Sequence, residues 1–305
     1  MKIYNNANLN TKHEGGVIAI GNFDGIHLGH QKVINEAKKK AKKEKLPFGL
    51  MTFEPVPVMF FNKKIKHHRI NSLNQKKLLL SKLKLDFLII IKFSKKFSTL
   101  TAQQFVDKII FKKTKCRYLF VSKNFKFGYK RRGDIKILKQ LEKDYEYKNI
   151  ITKPFKKNNK IISSTFIRQN IRKGKINEVN KLLNRLWYIE GKVLKGKKRG
   201  RKMGFPTCNL KFCNYVIPRL GVYSVKVKIN NLNKNGIANV GYRPTFNGQS
   251  LLLETNIFGF NKNLYNKVIS VYFKKFIRPE KKFRNLESLK KQIKIDIRKA
   301  KKNHV

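Results

Sequence analysis

The sequence predicts an α/β domain built on a parallel sheet over residues 1–185, followed by an antiparallel β-barrel with a terminal helix over residues 186–305. Two successive patterns of apolar spacing and a closing helical stretch carry that expectation. In the first half, short apolar runs alternate with amphipathic segments, which favours a parallel sheet with helices on its faces. VIAI (17–20) precedes a helical pattern over 29–44, FGLMTF (48–53) one around 72–84, DFLIII (86–91) one over 101–112, and RYLFVS (117–122) one over 134–143. Residues Ser164 to Arg185 read as helical and close this domain. From Tyr188 the period becomes two, in YIEGKVL, GVYSVKVKI, IANVGY, LLLETNIF and VISVYF, with Gly, Pro and Asn at the breaks. That is the pattern of an antiparallel barrel. A last helix is expected from about Leu286 to Lys302, with Leu289, Ile293, Ile295 and Ile297 on its apolar face.

Composition bounds the possibilities. A chain of 305 residues with 41% hydrophobic and 11% aromatic content can form two cores. The formal net charge of +55 would ordinarily point to nucleic acid or an anionic membrane. Here Lys is spread along both halves and accompanied by abundant Asn, Ile and Phe, as an AT-rich genome would impose, so no specific nucleic-acid partner is expected. Cys116, Cys208 and Cys213 form no CxxC pair and are too few for a disulfide framework, which points to a reducing compartment. The opening MKIYNNANLNTKHEGG contains no apolar leader region, and no run approaches a membrane span. The expectation is a cytoplasmic protein with no membrane partner; the sequence assigns no oligomeric state.

The most informative stretch is Gly21 to His30, GNFDGIHLGH, between a strand and a helix start. In an open parallel sheet, ligands bind at the carboxyl ends of the strands. His27 and His30, three apart around Gly29, can lie on one side of the first helical turn, beside backbone N–H groups that attract anions. Two imidazoles there could donate to charge building on an α-phosphate during nucleotidyl transfer. The competing readings are a zinc pair or two surface histidines.

At these residues the chain resembles the bifunctional prokaryotic riboflavin kinase and FAD synthetase family, and the HxGH element is that of the wider nucleotidyltransferase superfamily. The resemblance covers nearly the whole chain. It implies a Rossmann-like nucleotidyltransferase domain over 1–185, with Gly21, Phe23, Asp24 and Gly29 as nucleotide-binding positions, and a riboflavin-kinase barrel over 186–305. TFEPVP (52–57) looks like the family's TFEPxP block, its prolines stiffening a strand-end loop near the ligand. VSKNFKFG (121–128) is similar to its VGxNFxFG element, which implies flavin-side contacts for Asn124, Phe125 and Lys126. Ser122 and Lys126 depart from the commoner Gly and Arg, and a lysine replaces a bidentate phosphate contact by a point charge. ISSTFIR (162–168) resembles the ISSTxIR signature, implying that Ser164, Thr165 and Arg168 hold the departing pyrophosphate. A plain helix cap is the alternative.

The second half carries its own signature. GKKRGRKMGFPTCN (196–209) looks like the riboflavin kinase loop GxxxGRxxGFPTAN, with Cys208 in place of the usual Ala. The chain contains no GxxxxGK[ST] motif, so a kinase here is not of the P-loop type. Gly196, Gly200 and Gly204 would let the backbone approach phosphates, while Thr207 and Asn209, two apart on a strand, would face one side and offer hard oxygens to Mg²⁺. Cys208 would point the other way. Glu254, out of place on the apolar strand LLLETNIF, resembles the family's catalytic base; a solvent-facing strand glutamate is the alternative. NVGYRPT (239–245) matches the NIGxRPT block, leaving Arg243 as a structural or flavin-adjacent cation, and Arg278 falls at a position used near flavin. The resemblance thus implies ATP-dependent phosphorylation of riboflavin to FMN with Mg²⁺, then adenylylation of FMN to FAD, with riboflavin, FMN and ATP as small-molecule partners. Two alternatives stay open: a riboflavin kinase whose adenylyltransferase domain has decayed, and a basic nucleic-acid-binding protein.

Overall fold

The computed structural model of the chain describes residues 1–195, 199–245 and 248–303. They form two compact units, one of residues 1–66 and 73–163, the other of 67–72 and 164–305.

The first unit runs β1 (Lys2–Tyr4), β2 (Val17–Ile20), α1 (Leu28–Glu44), β3 (Phe48–Glu54), α2 (Pro57–Phe61), α3 (Leu73–Ser81), β4 (Phe87–Lys92), α4 (Lys95–Ser98), α5 (Ala102–Phe105) with a π-helical continuation Val106–Phe111, β5 (Tyr118–Ser122), α6 (Ile135–Gln140) and β6 (Lys148–Thr152), with the small hairpin β7 (Lys156–Lys157) and β8 (Lys160–Ile161) at its end. Six strands pair in parallel in the order β1-β4-β3-β2-β5-β6. Alternate side chains along each strand supply two different cores. Ile18, Ile20, Met51 and Ile89 join one cluster, and Val17, Ala19, Leu50 and Leu88 the other. A sheet buried on both faces accounts for the unbroken apolar runs VIAI and FLIII. Helix α1 covers one face through Val33, Ala37 and Ala41, spaced four apart. The chain passes from β2 to β3 and β4 on one side, then returns to β5 and β6 on the other, so the order reverses between β2 and β5. The loop after β2 opens at that reversal.

The second unit contains α7 (Ser164–Arg172), α8 (Ile176–Leu183), β9 (Tyr188–Lys192), α9 (Arg199–Lys202), β10 (Cys208–Lys211), β11 (Gly221–Ile229), β12 (Leu232–Thr245), β13 (Gly248–Ile257), β14 (Val268–Pro279) and α10 (Leu286–Lys302). Its strands pair antiparallel in the order β10-β13-β12-β11-β14-β9. The Leu194 N–H donates to the Asn209 carbonyl at 2.9 Å, which brings the two edges together into a nearly closed barrel. On β13, Leu253, Thr255 and Ile257 are buried while Leu252, Glu254 and Asn256 alternate with them on the other face.

Several expectations change on contact with the structure. The helical stretch 164–185 is two helices, broken where Gly174 takes φ +72°, and both group with the barrel. Asn180 on α8 ties them to it: its Nδ2 donates to the Phe273 carbonyl at 2.9 Å and its Oδ1 accepts from the Trp187 N–H at 2.8 Å. Residues 67–72 also belong there. The Val216 N–H donates to the Arg69 carbonyl, and the indole N–H of fully buried Trp187 donates to the Ile70 carbonyl at 2.9 Å. On α10, Ile295 is exposed; the inward face carries Ile297, Ala300 and, in its place, Asp296 at 2% exposure.

Candidate active sites

In the first unit, the loop Gly21–His27 leaves β2 in an unusual backbone conformation, with Phe23 at φ +45°, Gly25 at +90° and Ile26 at +41°. Non-glycine residues hold such angles only where their surroundings over-determine them. Here Phe23, Asp24, Ile26 and His27 are all buried. The turn ends at His27, the N-cap of α1, whose Nδ1 accepts from the His30 N–H at 3.3 Å. The two imidazoles stack with centroids 3.7 Å apart, and the Phe23 ring stands edge-on to His30 at 5.3 Å. A Cβ on Gly29 would come within 3.1 Å of both the His27 ring and the Ile162 carbonyl, so this position admits only glycine without displacement. Gly21 lies against the Phe23 ring. Among the described residues, no group of three or more His, Cys, Asp or Glu side chains is gathered in a way that could hold a metal. The zinc reading of His27 and His30 therefore finds no third ligand of those types.

The other predicted positions of this half fall as follows. Asn124 is exposed after β5. Phe125 packs partly into the core, stacked on Phe127 at 5.5 Å. Lys126 is ion-paired at 3.2 Å with Asp134, and Asp134 caps α6 by accepting from the Lys136 and Ile137 N–H groups. Those amides and Lys126 hold the Asp134 carboxyl below the usual carboxylate range. Val56 is buried, and Pro57 opens α2. Ser164, Thr165 and Arg168 lie on the first two turns of α7, in the second unit.

In the second unit, strand register does the assembling. Asn209 on β10 and Asn239 on β12 both stand opposite Glu254 on β13, so the three side chains occupy one row across three adjacent strands. The Asn256 amide donates to the Pro206 carbonyl at 2.6 Å and so anchors the loop that leads to Thr207. The row faces a cavity of about 730 Å³ that is also lined by Thr207, Arg243 and Arg278. Arg243 Nη2 lies 2.5 Å from Glu254 Oε2, and this contact raises the guanidinium above its ordinary range. Arg278 is held in place by Asp296, with Nε 2.9 and 3.1 Å from the two carboxylate oxygens and Nη2 at 2.8 Å. Asn209 Oδ1 is buried with no hydrogen-bond partner among the described residues. An orphaned hard oxygen on a residue that lines one cavity with Thr207 and Glu254 fits an octahedral cation that keeps most of its ligands from water and phosphate, as Mg²⁺ does. Cys208 sits opposite Thr255 in register, on the other face from that row, and its thiol is pushed up to about 12 by burial. Gly200 accepts from the Phe205 N–H at 2.8 Å, and Gly204, at φ +86°, ends the single turn of α9. Gly196 lies outside the described residues.

Sequence reasoning passed over Asn239, whose place in the row is visible only through its register with Glu254, and Lys76, which lies in the string NQKKLLL and reads there as a solvent-facing lysine.

A parallel α/β sheet bearing HxGH at its switch point, followed by a barrel with a carboxylate-and-amide row over a cavity, defines a two-unit transferase of the phosphate-handling kind. Family models match both halves: FAD synthetase over residues 9–166 and riboflavin kinase over 183–304. A bifunctional riboflavin kinase/FMN adenylyltransferase of Buchnera aphidicola subsp. Schizaphis graminum is 38% identical over 97% of this chain and 96% of its own. Counterparts in Haemophilus influenzae and Escherichia coli K12 are 36% and 34% identical over 96% and 92% of this chain, and over 96% and 90% of their own. A crystal structure from Streptococcus pneumoniae, described as a macrolide-efflux protein, covers 98% of both chains with a TM-score of 0.86 at 31% identity. The chain belongs to the bifunctional riboflavin kinase/FMN adenylyltransferase family and carries both of its domains.

Proposed function

We propose that this chain phosphorylates riboflavin to FMN in its second unit and adenylylates FMN to FAD in its first, using ATP for both. The observation that carries the proposal is that each matched stretch holds its own phosphate-suited site: the stacked His27 and His30 at the start of α1, and the Asn209–Glu254–Asn239 row over the barrel cavity.

In the kinase step, Glu254 takes the proton from the ribityl 5′-hydroxyl as that oxygen attacks the γ-phosphorus. Arg243 orients the carboxylate, and Arg278, steadied by Asp296, offers a fixed cation on the flavin side of the cavity. Thr207 and Asn209 would hold Mg²⁺, which would neutralise charge on the nucleotide phosphates. Gly196, Gly200 and Gly204 let the backbone approach the phosphates closely. In the adenylyl step, the FMN phosphate attacks the α-phosphorus in line and no covalent enzyme intermediate is needed. His27 and His30, with backbone N–H groups at the start of α1, stabilise the charge that builds there. Gly21, Phe23, Asp24 and Gly29 shape the nucleotide side, Asn124, Phe125 and Lys126 the flavin side, and Ser164, Thr165 and Arg168 serve the departing pyrophosphate.

The functional division is proposed at residues 185/186. Lysine excess is read as compositional, with no specific nucleic-acid partner, and the chain as cytoplasmic; no helix among the described residues is long and apolar enough to cross a membrane. Purified protein supplied with riboflavin, ATP and Mg²⁺ should yield FMN and then FAD on chromatography. FMN alone, with supplied FMN left unconverted, would favour a kinase with a decayed first domain.

A further inference from the structure

Lys76 lies on α3 with its side chain only 1% exposed, although burying an ammonium group is costly unless its hydrogen bonds are used. Its Nζ donates to the Asn22 carbonyl at 2.7 Å and to Thr52 Oγ1 at 3.3 Å, while the fully buried Thr52 hydroxyl donates to the same carbonyl at 3.2 Å. Donors from α3 and β3 therefore converge on one main-chain oxygen at the start of the Gly21–His30 loop. At the far end of the turn, Gln31 Nε2 donates to the Ile26 carbonyl at 2.9 Å. Between these two anchored carbonyls lie the three residues at positive φ, a backbone that relaxes unless held.

We infer that Lys76 is a positioning residue for adenylyl transfer. By fixing the Asn22 carbonyl, it presets the loop whose N–H groups and imidazoles must meet the α-phosphate, without touching the nucleotide itself. The inference rests on the reading of Gly21–His30 as the adenylyl site. Preorganisation of this kind acts on the transition state, because donors displaced by a fraction of an ångström still bind substrate but no longer match developing charge.

The test measures FAD formation from supplied FMN and ATP in full-length protein, with riboflavin phosphorylation in the same molecule as the control for folding. Lys76→Met should lower kcat for FAD formation on the order of a hundredfold with KM for FMN changed by less than about threefold, and leave kinase activity intact. Lys76→Arg, which keeps a donor, should recover at least about tenfold of that loss. A kcat for Lys76→Met within about threefold of the parent protein overturns the inference, as does Lys76→Arg being no better than Met. Should Lys76→Met fail to fold, Thr52→Val, nearly constant in volume, removes the second donor to the same carbonyl. An unchanged kcat there overturns the inference, and a lowered kcat with kinase intact supports it. His27→Ala separates the two levels: if it leaves FAD formation intact, the loop reading has failed, and if it is crippled while Lys76→Met is not, only the role of Lys76 has.

Discussion

The two candidate sites of this chain are assembled by opposite means. The first is nearly contiguous in sequence: Gly21 to His30 supply the turn, the cap and both imidazoles, and the fold contributes the switch point between β2 and β5 and the bonds that hold the loop. The second is dispersed over Thr207, Asn209, Asn239, Arg243, Glu254 and Arg278, and antiparallel register brings its central row, Asn209, Glu254 and Asn239, together. A loop site is vulnerable to backbone slack. A register site has its backbone fixed by two neighbouring strands and is vulnerable mainly to loss of a side chain. Substitutions that remove a functional group should therefore be cleanest in the barrel, and those that loosen a hydrogen bond should matter most in the loop.

The largest expected effect follows from the barrel. Glu254→Gln keeps shape and register but removes the base, and should lower riboflavin phosphorylation by at least about a thousandfold while conversion of supplied FMN to FAD stays near normal. Loss of both activities in folded protein would break the division between the two sites. Next, replacing His27 and His30 together by Ala should cost FAD formation on the order of a hundredfold with kinase activity preserved. Smaller, and directed at the metal reading, Asn209→Ala should raise the Mg²⁺ concentration for half-maximal kinase rate about tenfold, whereas Asn209→Asp should not. An Asn209→Ala enzyme with an unchanged Mg²⁺ requirement would leave the orphaned Oδ1 without that explanation.

A fourth expectation concerns stability. A fragment of residues 186–305 lacks α7 and α8, and with them both Asn180 hydrogen bonds, each worth about 1 kcal/mol. It should melt at least about 5 °C below a fragment of residues 164–305, as followed by circular dichroism. Coincident melting curves would show that α7 and α8 add nothing to the barrel. The smallest effect belongs to Lys126, whose ammonium is exposed and shared with Asp134. Exposed pairs of this kind contribute about 0–1 kcal/mol, so Lys126→Gln should raise KM for FMN by no more than about threefold.

Much of this was legible in the sequence for identifiable reasons. Alternating runs such as VIAI and FGLMTF gave the parallel sheet because strands buried on both faces must be continuously apolar. The barrel strands were legible from their period of two. Strand β1, three residues long, and β6, KNIIT amid lysines, carry too little apolar pattern to stand out. The break at Gly174 was hidden because helical periodicity resumes on both sides of it. Ile295 was assigned to the inner face of α10 by hydrophobicity alone, but the fold places Asp296 there to meet Arg278. Lys76 was illegible for a related reason: a buried lysine and a solvated one are spelled alike, and only three-dimensional convergence on Asn22 tells them apart.

The segment 67–72 has a consequence in time. Ile70 and Trp187 are 117 residues apart in the chain, yet the indole of one is closed by the carbonyl of the other. At elongation rates of about 5–20 residues per second, the Ile70 carbonyl is made on the order of ten seconds before its partner exists. The earliest-made piece of the second unit therefore meets these partners only after the later-made residues of that unit have been synthesised. A single cut in the gene could not separate the two units cleanly either, because one of them is written in two places.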